Sequence, residues 1–531
     1  MITEKMKELF FTRQALLLFS LVIFFTFLLW GINLPYVGPN ATNYTVSSLM
    51  AHNFNKFGYL ATKLAPVISV SPVLPEHPAY FFHHPTLPFI TEGLLFQIFG
   101  EGFWVGRLTM VLYVFGIFLL LYLIAERVAN KTYAAIVIFI ASLIPGFTFF
   151  GKLIGQEQPV LFFGLLTLFM ALQYLSSQKK RYLFIASVSI ICGVFTDWPT
   201  SFFMFCFLPL FIKHKKIRLG IYFVAFSVVM TLLLIFYISL LVSGTWDLQN
   251  GLLHRSVTGM FAIPFWPVRW FTTTLLRLPV YYSPIFFVLS LGGLYQIYKR
   301  FRNKSLSDRD VIIWGFFSFA TIHLILYTQA AFSHPYLNYY VLPFIIFSSA
   351  LIIEKLFSQK KYIILGIIIG LSFIYLCTIQ LYKNMQVSSE VWRYEITQKT
   401  VSFLTPYEEV LLNDSSALNA DVLWYPFLIN WRVQPFNVPM YTGSQYKHYI
   451  YSCVMACNPR DARLNESKDK YNYIYIKHPK AEVFVFMLQE KKNQESIKKI
   501  YLTDNKKNNR GYLYLRNVYE SLRNVLQVPQ F

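Results

Sequence analysis

Eleven apolar runs of near-spanning length punctuate the first 383 residues, at roughly 14–34, 104–125, 133–150, 159–176, 182–196, 200–212, 219–242, 283–298, 311–330, 339–354 and 362–382. A helix of about 20 apolar residues satisfies its backbone internally and is stable in hydrocarbon, so such a chain has one main option, a polytopic helical bundle. Composition points the same way: 14% of residues are charged and 55% hydrophobic, where a soluble domain carries about a quarter charged. A formal net charge of +21 would suit nucleic acid, but the positive residues sit in short clusters between apolar runs. That is the membrane-orientation pattern, and it excludes nucleic acid as the expected partner.

The first run follows Lys5, Lys7 and Arg13 and lacks a small-residue cleavage site, which predicts a retained first span with a cytoplasmic amino terminus. Alternating sides from there places 1–13, 126–131, 178–181, 213–218, 299–310 and 355–361 inside, with 20 Lys or Arg between them. The outside loops before residue 383 hold six: Lys56, Lys63, Lys152, Arg255, Arg269 and Arg277. The asymmetry predicts an odd number of spans and an extracytoplasmic carboxy-terminal tail. The expected location is a bacterial inner or plasma membrane.

Two domains are expected: a transmembrane domain over 1–383 with a large first outer loop at 35–102, and an extracytoplasmic soluble domain over 384–531. The tail reads as a helix at 388–404 followed by β-rich runs at 409–412, 473–476, 482–486, 499–502 and 512–515, a small α/β or α+β domain. It has no Gly-rich phosphate loop. Cys453 and Cys457 fall in it, where a disulfide is permitted but spacing alone does not secure one. Within the first loop, 44–59 has near-helical apolar spacing with Leu49, Met50, Phe54 and Phe57 on offer, as in an interfacial helix; a soluble helix beneath the tail domain is the alternative.

The chemistry-bearing residues sort to one side of the membrane. His83 and His84 lie in the first loop, Lys152 and Glu157 between spans three and four, and Asp197 between spans five and six. Asp247, His254, Arg255 and Arg269 follow span seven, and His334 precedes span ten. Span interiors are almost free of charge, with His323 the main exception. Transporters place ion or proton relays near the midplane, so the pattern favours an enzyme at the outer boundary, with a transporter or flippase, or a non-catalytic protein of the same fold, as alternatives.

Four segments carry a resemblance: His84-Pro-Thr-Leu-Pro88, Phe99-Gly-Glu-Gly-Phe-Trp-Val-Gly-Arg-Leu108, Gly155-Gln-Glu-Gln-Pro-Val-Leu-Phe-Phe163 and Ser333-His-Pro-Tyr-Leu-Asn-Tyr-Tyr340. In this order they resemble the GT-C glycosyltransferases, and more closely the branch of protein O-mannosyltransferases and lipid A aminoarabinose transferases. The resemblance covers roughly residues 14–350. It implies transfer of a sugar from a polyprenyl-phosphate donor to a protein, lipid or cell-envelope glycan at the extracytoplasmic face. A carboxylate would deprotonate the acceptor hydroxyl and cations would stabilise the departing phosphate.

The family's early acidic residue has no counterpart here, because 37–44 reads Val-Gly-Pro-Asn-Ala-Thr-Asn-Tyr and asparagine is no base at neutral pH. Either the base has moved, with Glu157 the first candidate and Asp197 the second, or transfer activity is lost. Asn40, Asn43, His83, His84, Lys152, Arg255, Arg269 and His334 are the expected substrate-binding residues. Glu157, Asp197, His83, His84, Arg255 and His334 are expected to converge on a cavity opening to lipid. No cofactor is certain; a divalent metal ion is conceivable, with His83, Glu157 and His334 as ligand types.

Overall fold

The computed structural model describes residues 13–37, 41–69, 71–81, 84–239, 256, 260, 265–404, 409–412, 432–435, 448–454, 462–479, 481–491 and 498–501. Each of the eleven apolar runs coincides with a helix or a set of helical pieces. Six helices are long and apolar enough to cross a membrane, or eight if each of two bent pairs counts as one span. Lys131–Leu143 and Pro145–Lys152 meet at 72°, and Trp266–Tyr282 meets Pro284–Arg302 at 108°. A proline opens the second piece each time, where its missing N–H costs nothing and its ring prevents the earlier helix from continuing. The run at 200–212 is likewise three short pieces, Thr200–Phe203, Met204–Phe207 and Leu208–Lys213.

Only 22% and 17% of the most apolar stretches of Ile217–Ser239 and Tyr362–Thr400 are buried. Leu232, Leu233, Phe236, Ile363 and Ile367 stand exposed on these helices. Apolar area on this scale is sustained when the surrounding medium is itself hydrocarbon, so the chain is an integral membrane protein.

Inside the bundle small residues allow close approach. A Cβ on Gly293 would lie 2.2 Å from the Ser348 carbonyl oxygen. Ser348 Oγ donates to the Ser290 carbonyl at 2.7 Å and Ser349 Oγ to that of Phe286 at 2.8 Å. Pro284–Arg302 and Leu342–Ser358 thus touch backbone to backbone, the packing that substitutes for hydrophobic drive in a bilayer. Ion pairs tie the basic connecting segments together. Arg300 reaches the fully buried Asp310 at 2.6 Å, and Asp310 closes a capping box with Ser307. Arg309 pairs with Glu354 at 2.5 Å, and Lys213 with Asp308 at 2.7 Å.

The chain divides into two compact units. The first takes in the described residues of Met1–Ile32, Gly58–Val67 and Tyr80–Gln380, and the second those of Asn33–Phe57, Ile68–Ala79 and Leu381–Phe531. The first loop is therefore divided between the two units.

The second unit contains a six-stranded mixed sheet. Its strands are β1 (Glu409–Leu412), β2 (Arg432–Pro435), β3 (His448–Val454), β4 (Tyr471–His478), β5 (Ala481–Lys491) and β6 (Lys498–Tyr501), in the order β2-β1-β3-β5-β4-β6. β3–β5 and β4–β5 are antiparallel, and the outer pairs are parallel. The helix Val391–Val401 supplies Trp392 and Ile396 to a core with Ile450, Ile474, Ile476, Val483 and Val485. The expected strand at 512–515 and Cys457 lie outside the described residues.

The helix Ala41–Phe57 also belongs to this second unit. Its Leu49, Met50 and Phe54 are each 1% exposed, and Tyr44 stacks on Tyr36 at 4.9 Å. Val37 packs with Val387, Val391 and Tyr394. The apolar face of this helix is thus covered by protein, where an interfacial helix would present it to lipid.

Candidate functional site

A turn after Pro85 and the Asp-Trp-Pro turn at 197–199 are joined twice. The Leu87 N–H donates to the Phe195 carbonyl at 2.9 Å, and His84 Nδ1 lies 3.1 Å from Asp197 Oδ1. The helix Lys180–Val194 stops here because Pro199 disfavours helical backbone before it. Asp197 N–H donates to the Gly193 carbonyl at 3.1 Å, and Asp197 Oδ1 accepts from the Trp198 N–H at 2.9 Å. The carboxylate is thus anchored to its own turn, and its side chain is 6% exposed against 12% for His84.

Glu157 opens the helix Glu157–Ser177 and is 1% exposed. An acid at this position is favoured by the helix dipole, which accounts for its placement but not for its burial. The side chain folds back over Gly155, where an added Cβ would lie 2.6 Å from Glu157 Oε2. Glycine at 155 is what permits that fold-back.

A third element, the 3-10 segment Pro335–Val341, packs against the helix that Glu157 opens and against Asp308–Leu326. The Tyr340 hydroxyl is within electrostatic reach of both Glu157 and Asp197, and that of Tyr339 within reach of Glu157. Tyr340 meets His323 edge to face, with ring centroids 4.5 Å apart. Glu157, Asp197, His323 and Tyr340 are each buried.

The other expected residues are placed differently. Lys152 is 4% exposed, and its ammonium donates to the carbonyls of Trp30 and, at 3.5 Å, Phe27. Arg107 donates to the Ile32 carbonyl at 2.8 Å. Two cations from different elements therefore cap the end of Arg13–Leu29, a favourable position relative to the helix dipole. Arg269 is exposed on Trp266–Tyr282; on the same helix Arg277 is buried and donates to the carbonyls of Ala331 and Phe332 at 3.1 and 2.5 Å. His334 is exposed and stacks on Tyr336 at 5.1 Å. Asn43 is half-buried in the second unit. Asn40, His83 and Arg255 lie outside the described residues, as do Asp247 and His254.

Among the described residues no three His, Cys, Asp or Glu side chains gather as metal ligands; His83, one of the three expected ligands, lies outside them.

The sequence reading passed over Glu92, fully buried in the helix Leu87–Phe99. An acid in the apolar stretch Leu-Pro-Phe-Ile-Thr-Glu-Gly-Leu-Leu was the available signal.

Residues 83–242, which include His84, Glu157 and Asp197, match the family of dolichyl-phosphate-mannose-protein mannosyltransferases. A comparison with curated proteins finds no match. In fold the chain is similar to ArnT from Cupriavidus metallidurans bound to undecaprenyl phosphate, with a TM-score of 0.58 at 11% identity over 88% of this chain and 97% of that one. It is also similar to the Archaeoglobus fulgidus oligosaccharyltransferase complex with Zn and sulfate, with a TM-score of 0.51 at 14% identity over 87% of this chain and 72% of that one. The same archaeal enzyme, AglB, in complex with an inhibitory peptide and a dolichol-phosphate gives 0.51 at 12% identity over 87% and 73%. The chain therefore has the GT-C fold, and its residues 83–242 resemble in sequence the mannosyltransferases of that class.

Proposed function

We propose that this chain is a membrane glycosyltransferase that moves a sugar from a polyprenyl-phosphate carrier to a hydroxyl-bearing protein, lipid or envelope glycan on the extracytoplasmic face. The observation that supports it best is the hydrogen bond between His84 and the buried Asp197, with a second buried carboxylate, Glu157, opening another helix of the same unit. The solved structures of similar fold contain undecaprenyl phosphate or a dolichol-phosphate, which guides the choice of carrier.

In this reading the acceptor oxygen attacks the anomeric carbon of the carrier-bound sugar. The bond from that carbon to the phosphate oxygen breaks, and the phosphate leaves with the electron pair. Glu157 takes the acceptor proton; its burial keeps that carboxylate out of bulk water, where a base is weakened by solvation. Asp197 fixes His84 through Nδ1, so that the imidazole meets the leaving phosphate in a set orientation, with Arg255 and Arg269 as further cations. One displacement inverts the anomeric centre.

The test is a deletion strain analysed by mass spectrometry of surface glycans, lipids and proteins. The reading expects one monosaccharide to vanish from one acceptor class and to return with the wild-type gene but not with Glu157→Gln. Unchanged surface chemistry in the deletion strain overturns it.

A further inference from the structure

His323 and Tyr340 are a buried polar pair with no part in the proton or phosphate steps. His323 sits in the helix Asp308–Leu326 and is 1% exposed, as is Tyr340. Neither ring nitrogen of His323 and not the Tyr340 hydroxyl has a hydrogen-bond partner among the described residues. Buried polar groups are nearly always satisfied, because an unmet donor or acceptor loses its water without compensation. Three such atoms on two touching rings leave hydrogen-bonding capacity that a ligand or a water would take up.

The walls fix what the ligand meets. Phe319 packs on Tyr340 at 5.4 Å and Tyr327 on His323 at 5.2 Å, so both rings are held by aromatic neighbours and cannot turn freely toward new partners. The segment that carries Tyr340 packs against both Glu157–Ser177 and Asp308–Leu326, and Phe319, which touches Tyr340, also meets Phe203 just after the Asp197 turn at 4.8 Å, so the pair lies near the groups assigned to the chemistry.

The chemistry of the pair selects a class of ligand. A neutral imidazole offers one N–H and one lone pair, and a phenol offers a hydroxyl that both gives and accepts. Uncharged rings of this kind offer a phosphate no countercharge and a metal ion no anionic ligand. What remains is an uncharged partner with adjacent donor-acceptor groups, and the hydroxyls of a sugar ring have that character.

We propose that His323 and Tyr340 form a subsite that holds hydroxyl groups of the carrier-linked sugar beside Glu157 and Asp197, an assignment that rests on the transferase reading above. The pair then selects for the presence and placement of ring hydroxyls, because a sugar lacking one leaves a buried nitrogen or hydroxyl unmet.

The test uses the full chain in the Glu157→Gln background, which stops turnover, incubated with the lipid extract of source-cell membranes and analysed by native mass spectrometry. The parent is expected to retain sugar-loaded polyprenyl phosphate. Tyr340→Phe, which removes a single oxygen, should shift retention about tenfold toward the bare carrier with total lipid occupancy unchanged. His323→Phe should do the same, and His323→Gln, which restores a donor and an acceptor, should recover part of the loaded fraction. A loaded-to-bare ratio that stays at the parent value in both Tyr340→Phe and His323→Phe overturns the subsite, as an acceptor-side or water-filled pair would give. If the parent and the wild-type chain retain no polyprenyl phosphate of either kind, the transferase reading falls and the subsite with it.

Discussion

His84 and Asp197, 113 positions apart in sequence, share a hydrogen bond of 3.1 Å between Nδ1 and Oδ1. Both side chains are largely shielded from solvent, so each is the other's compensation for lost water. Asp197→Ala is expected to lower thermal stability, and His84→Ala likewise. In the double variant the two losses should fall short of their sum by about 0.5–3 kcal/mol. Unfolding of the four proteins in detergent measures this, and simple additivity would mean that the contact carries no coupling.

Glu157→Gln keeps size and hydrogen-bonding shape but removes the proton acceptor. Transfer is expected to fall by about 10²–10⁴-fold with the melting temperature close to wild type, given the usual contribution of a positioned base. Turnover by the variant at wild-type rate would exclude Glu157 as that base.

Gly293 is the tightest point between Pro284–Arg302 and Leu342–Ser358. Gly293→Val must push against the Ser348 backbone, which cannot rotate aside as a side chain can. The expected loss is about 1–3 kcal/mol or more, read as a lower melting temperature and a lower yield of monodisperse protein. Gly366, whose added Cβ would meet nothing within 4 Å, serves as the matched control and is expected to tolerate alanine.

Asp310 and Glu126 make ion pairs of very different worth. Asp310 is fully buried, pairs with Arg300 and caps its own helix, so Asp310→Ala should cost at least the 1–2 kcal/mol or so of a lost cap. Glu126 meets Lys131 at 3.9 Å with both ends in part exposed, and Glu126→Ala should stay within about 0.5 kcal/mol. Chemical or thermal unfolding of the two variants side by side separates these cases.

The helical framework was legible because a bilayer imposes one rule on every segment: twenty or so apolar residues or none. That rule reports length and apolarity, and it is silent on bends, so the 108° angle at Ser283 and Pro284 emerged only in three dimensions. In the tail, β4 and β5 announce themselves by Tyr, Ile, Val and Phe, whereas β2, Arg-Val-Gln-Pro, has no alternation to read and exists through parallel pairing with β1. At the site, the sequence named Asp197, His84 and Glu157 one by one, but Lys152 shows the limit. Nothing near it in sequence signals that its ammonium meets the carbonyls of Phe27 and Trp30, more than 120 residues earlier.

The assignment of Ala41–Phe57 to the same unit as the tail has a temporal consequence. Val37 packs with Val387, Val391 and Tyr394, partners about 350 residues further along the chain. At about 5–20 residues per second, the ribosome delivers those partners roughly 20–70 s after Val37 has been made. During that interval Val37 has none of these neighbours, while most of the intervening helices are still being synthesised. Biogenesis of this protein therefore includes a waiting period set by translation speed before this packing can form, and slowing synthesis lengthens it in direct proportion.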